Sequence, residues 1–214
     1  NSTFFNVLEA ARLNDVQKVF FPSSIAVFGP DARQENVAQD FALNPTTVYG
    51  ISKVAGEHWA RYYNTKYGVD VRCLRYPGLI SYQSLPGGGT TDYAVDIFHK
   101  AINNEEFVCY LKPDTQLPML YMDDAIDATI RMMEASKRDI KTVGYNIQGV
   151  SFSPEIIAAE IKKTFPDFEI IYQPDSRQQI AESWPISLDD ARARDEWGWE
   201  PSFDLKRMTE EMIY

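Results

Sequence analysis

Helices and strands alternate along this chain with short connections, which predicts an α/β protein built on a parallel sheet covered by helices. Three observations carry that expectation. An amphipathic opening helix leads into a buried strand, a long helix closed by Gly68 follows, and a second strand of alternating pattern begins directly after that glycine. In such sheets ligands bind at the carboxyl ends of the strands.

Taken in order, Phe4, Val7, Leu8 and Ala11 follow helical spacing, and Lys18 to Phe21 reads as a strand that Pro22 ends. Residues 29–45 are polar, punctuated by Pro30 and Pro45; Thr46 to Tyr67 carries good helix formers, and Val69 to Tyr76 alternates before a turn at Pro77-Gly78. A loop from Ser81 ends in Gly87-Gly88-Gly89, and Thr90-Thr91 heads a helix reaching about Asn103. Short strands are expected at 107–111, 117–122, 144–147 and 168–172. Helices are expected at 123–135 with Asp123-Asp124 as caps, at 153–165 capped by Ser153, and at 187–197 and 205–213. No repeat and no low-complexity tract interrupts this order.

The chain has 214 residues, 44% apolar and 24% charged, enough for a substantial core in one domain or two joined ones. Its formal charge is 21 − 31 = −10, which repels phosphate backbones and anionic lipid heads, so nucleic acid and membrane surfaces are excluded as expected partners. Apolar runs such as Val19-Phe20-Phe21 fall far short of the roughly 18 residues that read as a membrane span. Cys73 and Cys109 lie in strand-like segments and the only histidines are His58 and His99, so neither a disulfide framework nor a metal site is expected. A reducing compartment follows. The chain opens on Asn1 within what reads as a helix, without a targeting signature, and the expectation is a fragment of a longer protein.

Tyr49 and Lys53 stand four apart on the long helix, on one face and one turn apart. Such a pair can act as a general base: a free phenol titrates near pH 10, and a neighbouring ammonium favours its ionised form. The spacing alone is weak evidence, since Tyr62 and Lys66 repeat it. Only Tyr49 is preceded, by 26 and 25 residues, by Ser23-Ser24 just past the end of a strand, where a hydroxyl can share a substrate oxygen with the phenol. The same residues also fit a plain turn and an interface aromatic.

Ser23-Ser24-Ile25-Ala26-Val27-Phe28-Gly29, Tyr49-Gly50-Ile51-Ser52-Lys53 and Leu74-Arg75-Tyr76 resemble, in order and spacing, the S-S-x-x-V-Y-G, Y-x-x-x-K and L-R-Y patterns of the extended short-chain dehydrogenases/reductases. Trp197-Gly198-Trp199-Glu200-Pro201 is similar to that family's closing segment, and Phe28 replaces the usual Tyr at a packing position. The resemblance implies a Rossmann-like doubly wound sheet with a smaller α/β substrate domain. Residues 1–80 and 118–148 would form the carboxyl-terminal part of the NAD-binding domain, and 81–117 with 149–214 mainly the substrate domain. It also implies NAD as cofactor, Tyr49, Lys53 and Ser24 as catalytic residues, and Tyr49, Lys53, Tyr76, Pro77 and Leu79 as cofactor contacts. The glycine-rich turn that admits a pyrophosphate is absent from the 11 glycines, so it is expected before Asn1, and this chain alone is expected to hold a dinucleotide weakly.

Pro77 to Ser81, the run Leu85 to Ala94 and Ala181 to Pro185 are similar to the threonine 3-dehydrogenase branch of that family. That likeness implies L-threonine as substrate, oxidised at its 3-hydroxyl to 2-amino-3-oxobutanoate, with Ser23, Thr90, Thr91 and Trp184 positioning it. The three glycines before a helix start could turn N–H groups toward the substrate carboxylate while one threonine caps the helix; apart from the resemblance, a mobile loop with an ordinary Thr cap and Asp92 already satisfying the helix dipole is the favoured reading. Trp184 could wall the pocket or simply pack. A nucleotide-sugar epimerase or dehydratase with the same catalytic set is the alternative activity. A non-catalytic relative would show a broken Ser-Tyr-Lys set, and this set is whole. The resemblance further implies a homodimer through the opening and long helices, in the cytoplasm, or in mitochondria if the source is an animal or protist.

Overall fold

The computed structural model describes residues 2–83 and 85–214. Helix α1 (Ser2–Leu13) leads into strand β1 (Lys18–Ser24), which continues through Pro22 instead of ending there. Helix α2 (Val48–Tyr67) starts where the Thr47 hydroxyl accepts from Gly50 N at 3.0 Å and stops at Gly68, whose φ of 74° is the left-handed cap. Strand β2 (Asp70–Tyr76) runs parallel to β1 in a register that sets Ser23 beside Arg75 and Ser24 beside Tyr76. Strand β6 (Gly144–Asn146) adds to β2 in parallel and completes a sheet of order β1-β2-β6.

Both faces of that sheet are covered, the doubly wound arrangement expected, and every β2 residue except the half-buried Tyr76 is buried. On one face Leu8 of α1 and Ala60 and Tyr63 of α2 pack on Val71 and Cys73. On the other, helix α4 (Met122–Glu134) and helix α7 (Ala191–Trp197) pack on Leu74 and Tyr145, with Trp199 closing the end. Arg72 is wholly buried; it pairs with Asp70 at 2.7 Å and donates to the Met132 and Ala135 carbonyls, satisfying the last turn of α4.

The remaining strands pair outside that sheet. Pro77-Gly78 is not a turn into a loop, because strand β3 (Gly78–Ile80) pairs in parallel with strand β5 (Leu117–Tyr121), which pairs antiparallel with strand β7 (Val150–Phe152), a strand the sequence reading missed. Residues 118–121 thus leave the first sheet, while 191–199 pack against it. Strands β4 (Phe107–Cys109) and β8 (Ile170–Tyr172) form a further parallel pair. The apolar core here gathers helix α3 (Tyr93–Ile102), helix α5 (Pro154–Ile161) and helix α8 (Leu205–Ile213) around Phe98, Phe107 and Phe152. A short helix, α6 (Ser176–Ala181), completes the chain order and was also unexpected.

Three expected caps are corrected. Asp92, not Thr90 or Thr91, stands at the start of α3; Ser153 Oγ makes no capping bond at α5; and Tyr121 precedes α4. Asp124, 3% exposed, instead accepts from Ser202 N at 2.9 Å and Phe203 N at 3.1 Å, anchoring the stretch that enters α8.

Candidate active site

The site begins where β1 ends. Ser24 accepts from Ala26 N at 3.2 Å and so starts a tight 3-10 turn over Ile25–Val27. Because the Ser24 oxygen accepts in that bond, its proton is left to donate elsewhere. The first turn of α2 presses on the same turn: a Cβ on Gly50 would stand 2.1 Å from the Ala26 carbonyl oxygen, so only glycine lets the helix come this close. That approach brings Tyr49 and Ser24 to the lining of one cleft.

A cleft of about 370 Å³ opens there, lined by Ser24, Tyr49, Pro77, Thr90, Thr91 and Trp184, together with Ile25, Thr47, Gly78, Gly89 and Ile180. One polar wall thus comes from β1 and α2, and the facing wall from residues beyond β2. Tyr49 is 55% exposed, so its phenol opens to solvent and to any ligand. Lys53 Nζ lies 5.3 Å from the centre of the Tyr49 ring and donates to the Pro22 carbonyl at 2.5 Å, which pins the ammonium between α2 and the end of β1. Among the described residues another cleft of this size, lined by Glu105, Glu106, Asp167 and Glu169, carries neither a phenol nor an ammonium.

Four expected site residues are not among those lining the cleft: Lys53, which sits beside Tyr49 on the Pro22 carbonyl, and Ser23, Tyr76 and Leu79. Ser23 is 2% exposed, and its hydroxyl donates to Glu57 Oε1 at 2.6 Å, because neighbouring strand residues point to opposite sides. Tyr76 bonds through its phenol to Thr129 on α4 and packs edge-on against Phe20, and burial raises its pKa. Leu79 packs with the apolar cluster beneath α4 and lines a separate small hollow. The anion-binding role expected of the glycine loop is also corrected: Gly87 N and Gly89 N both donate to Asp92 Oδ2, at 2.7 and 2.8 Å, so these donors are already used. Tyr110 holds the same loop by donating to the Gly89 carbonyl at 2.9 Å, with the Arg177 guanidinium 3.1 Å from its ring centre; burial pushes its pKa far up, so the phenol stays a donor.

Burial likewise raises the Cys73 thiol well above its ordinary range and the Cys109 thiol to about 11, which removes both as nucleophiles. Two contributors escaped sequence reasoning. Arg33 donates through one nitrogen to the Gln116 carbonyl at 2.9 Å and the Trp184 carbonyl at 3.2 Å, fixing the backbone behind Trp184. Beneath the site, Glu57 on α2 forms a buried pair with Arg75 on β2. Arg75 stood inside the L-R-Y pattern, and Glu57 one turn beyond Lys53 was the signal available.

Fold and site together define a Rossmann-like α/β protein with a serine and a tyrosine lining a cleft at the end of β1 and a lysine beside the tyrosine. The chain belongs to the NAD dependent epimerase/dehydratase family, whose sequence profile matches residues 3–147. It is 47% identical over 209 residues to the mitochondrial L-threonine 3-dehydrogenase of Bos taurus, covering 97% of this chain and 56% of that protein, so it spans little over half the length of that relative. The holo L-threonine dehydrogenase of Cupriavidus necator superposes with a TM-score of 0.97 at 54% identity, over 98% of this chain and 68% of the other. A monomeric L-threonine 3-dehydrogenase from a metagenome, in its apo form, superposes with a TM-score of 0.95 at 49% identity, over 98% and 68% of the two chains.

Proposed function

We propose that the chain carries the reactive cleft of an NAD-dependent L-threonine 3-dehydrogenase. The carrying observation is the convergence of Ser24, Tyr49, Thr90, Thr91 and Trp184 on one cleft with the Lys53 ammonium beside Tyr49. In this reading Tyr49 takes the proton of the substrate 3-hydroxyl, and Ser24 donates its free hydrogen to the same oxygen. Lys53 holds its charge near the phenol and is the donor for the nicotinamide ribose. Thr90 and Thr91 offer hydroxyls to the amino-acid end, and Trp184 excludes water behind it. The relatives named for threonine dehydrogenation, at 47% and 54% identity, favour this substrate.

The donor set fits the nicotinamide end of NAD: the Tyr49 phenol and Pro77-Gly78 in the cleft lining, with the Lys53 ammonium 5.3 Å from the centre of the Tyr49 ring. When bound, NAD supplies the hydride acceptor. The division of labour follows the same reading, with the β1-β2-β6 unit serving the cofactor and the unit around α3, α5 and α8 serving the substrate.

Association through α1 and α2 is part of the proposal, supported by Phe5, Trp59, Tyr62 and Tyr67, which are 37 to 46% exposed on that face. No helix among the described residues is long and apolar enough to cross a membrane. The compartment proposed is the cytoplasm, or the mitochondrion in an animal or protist source. The reaction is tested by following NADH formation with L-threonine against a panel of UDP and dTDP sugars. NADH formation with threonine alone supports the dehydrogenase; turnover of a nucleotide sugar without net NADH selects the epimerase or dehydratase alternative.

A further inference from the structure

Directly beneath the cleft lies a polar cluster that the reaction itself does not use. Glu57 and Arg75 have side chains only 4% and 6% exposed. Arg75 donates from Nε to Glu57 Oε1 at 3.0 Å and from Nη2 to Oε2 at 2.9 Å, a two-pronged geometry. Its remaining nitrogen reaches the Gln39 carbonyl at 2.9 Å and Asn146 Oδ1 at 3.1 Å. Gln39 in turn donates to the Gly144 carbonyl at 2.7 Å and accepts from Asn146 N at 2.9 Å. The cluster has no slack, since a Cβ on Gly144 would come 3.0 Å from Glu57 Oε2.

A buried ion pair is often no more stabilising than a well-packed apolar pair, so its placement asks for another account. Each end of the pair is two steps from a residue of the cleft. Glu57 accepts from Ser23, the neighbour of Ser24, and sits one helical turn beyond Lys53 and two beyond Tyr49 on α2. Arg75 faces Ser23 across the β1-β2 register and lies two residues before Pro77. The pair therefore joins the strand end that presents the hydroxyl to the helix that presents the phenol and the ammonium.

We infer that Glu57 and Arg75, through Ser23, are positioning residues that set the Ser24 hydroxyl against the Tyr49 phenol. This inference rests on reading that cleft as the reactive centre. A misplacement of about 1 Å in a reacting group is enough to cost a large factor in rate, which gives so small a cluster its leverage.

The test uses the intact protein and the variants Glu57→Gln and Ser23→Ala, each alone and combined with Ser24→Ala. The expected result is a fall in kcat of about tenfold for Glu57→Gln and a smaller fall for Ser23→Ala, with the KM for L-threonine held within about twofold. On the Ser24→Ala background either change costs less than about twofold, because the group being positioned is already gone. Equal losses on both backgrounds, or a lowered melting temperature with kcat intact, would overturn the inference. If Glu57→Gln does not fold, Ser23→Ala decides, since it leaves the ion pair whole. Crystal structures of the folded variants give a reading free of any substrate: the Ser24 Oγ to Tyr49 Oη separation is expected to change by about 1 Å, and an unchanged separation overturns the inference. A wild-type protein inactive on L-threonine would instead overturn the proposed reaction, leaving the structural comparison to judge the pair.

Discussion

Ser23 and Ser24 are adjacent and chemically identical, yet one is 2% exposed beneath the cleft and the other lines it. The period of two in a strand decides this, and it separates their expected effects. Ser24→Ala removes a hydroxyl whose bond within the described structure is a turn contact to Ala26 N, so folding stability falls by less than about 1 kcal/mol while kcat falls by one to two orders of magnitude. Chemical denaturation and steady-state kinetics on one preparation check both. Asp124 shows the opposite profile: Asp124→Ala leaves two backbone donors at residues 202 and 203 without a partner and should cost about 2 kcal/mol in urea unfolding, with little effect on KM. Single-residue placement of this kind was only partly legible. The motif spacing pointed to Ser24, Tyr49 and Lys53, but not to which neighbour turns inward, nor to an Asp that anchors a distant loop.

At the scale of elements, α2 carries the site, and its seat on β1 depends on Gly56, where a Cβ would come 2.2 Å from the Phe21 ring. Gly56→Ala gains about 1 kcal/mol of helix propensity but overpacks this contact at a cost of about 1–3 kcal/mol, so a net loss of stability is expected together with reduced kcat. A gain in melting temperature would show that Phe21 yields freely. The α1 to α2 contact adds a pH dependence. Arg12, then the Tyr63 phenol, hold the Glu9 carboxyl below its usual value of 4.5. A lowered folded-state pKa stabilises above the unfolded value and the effect is lost as pH falls through the folded one, so α1 docking should weaken below about pH 4.5. Melting curves of wild type and Glu9→Gln should therefore converge on going from pH 6 to pH 3. Helices and strands with long periodic patterns, α2 and β2 above all, were readable from the residues. Strands β3 and β7 were not, because three-residue segments have no period and owe their form to pairing with β5.

For the whole molecule, the alternation of helix and strand sufficed for the layered sheet, whereas the sheet that each short strand joins did not show in the residues. Strand β5 leaves the first sheet and α7 returns to it, exchanges that depend on contacts far apart in sequence. The exposed aromatic face of α1 and α2 predicts self-association, and light scattering checks it; Trp59→Glu should shift any dimer toward monomer. The account as a whole stands on a phenol that takes a proton at the mouth of this cleft. Its most direct test is the turnover of the Tyr49→Phe protein with L-threonine and NAD, measured beside the wild type at matched folding stability. A loss of kcat of about two to four orders of magnitude is predicted, and near-normal turnover by the phenylalanine protein would contradict the assignment.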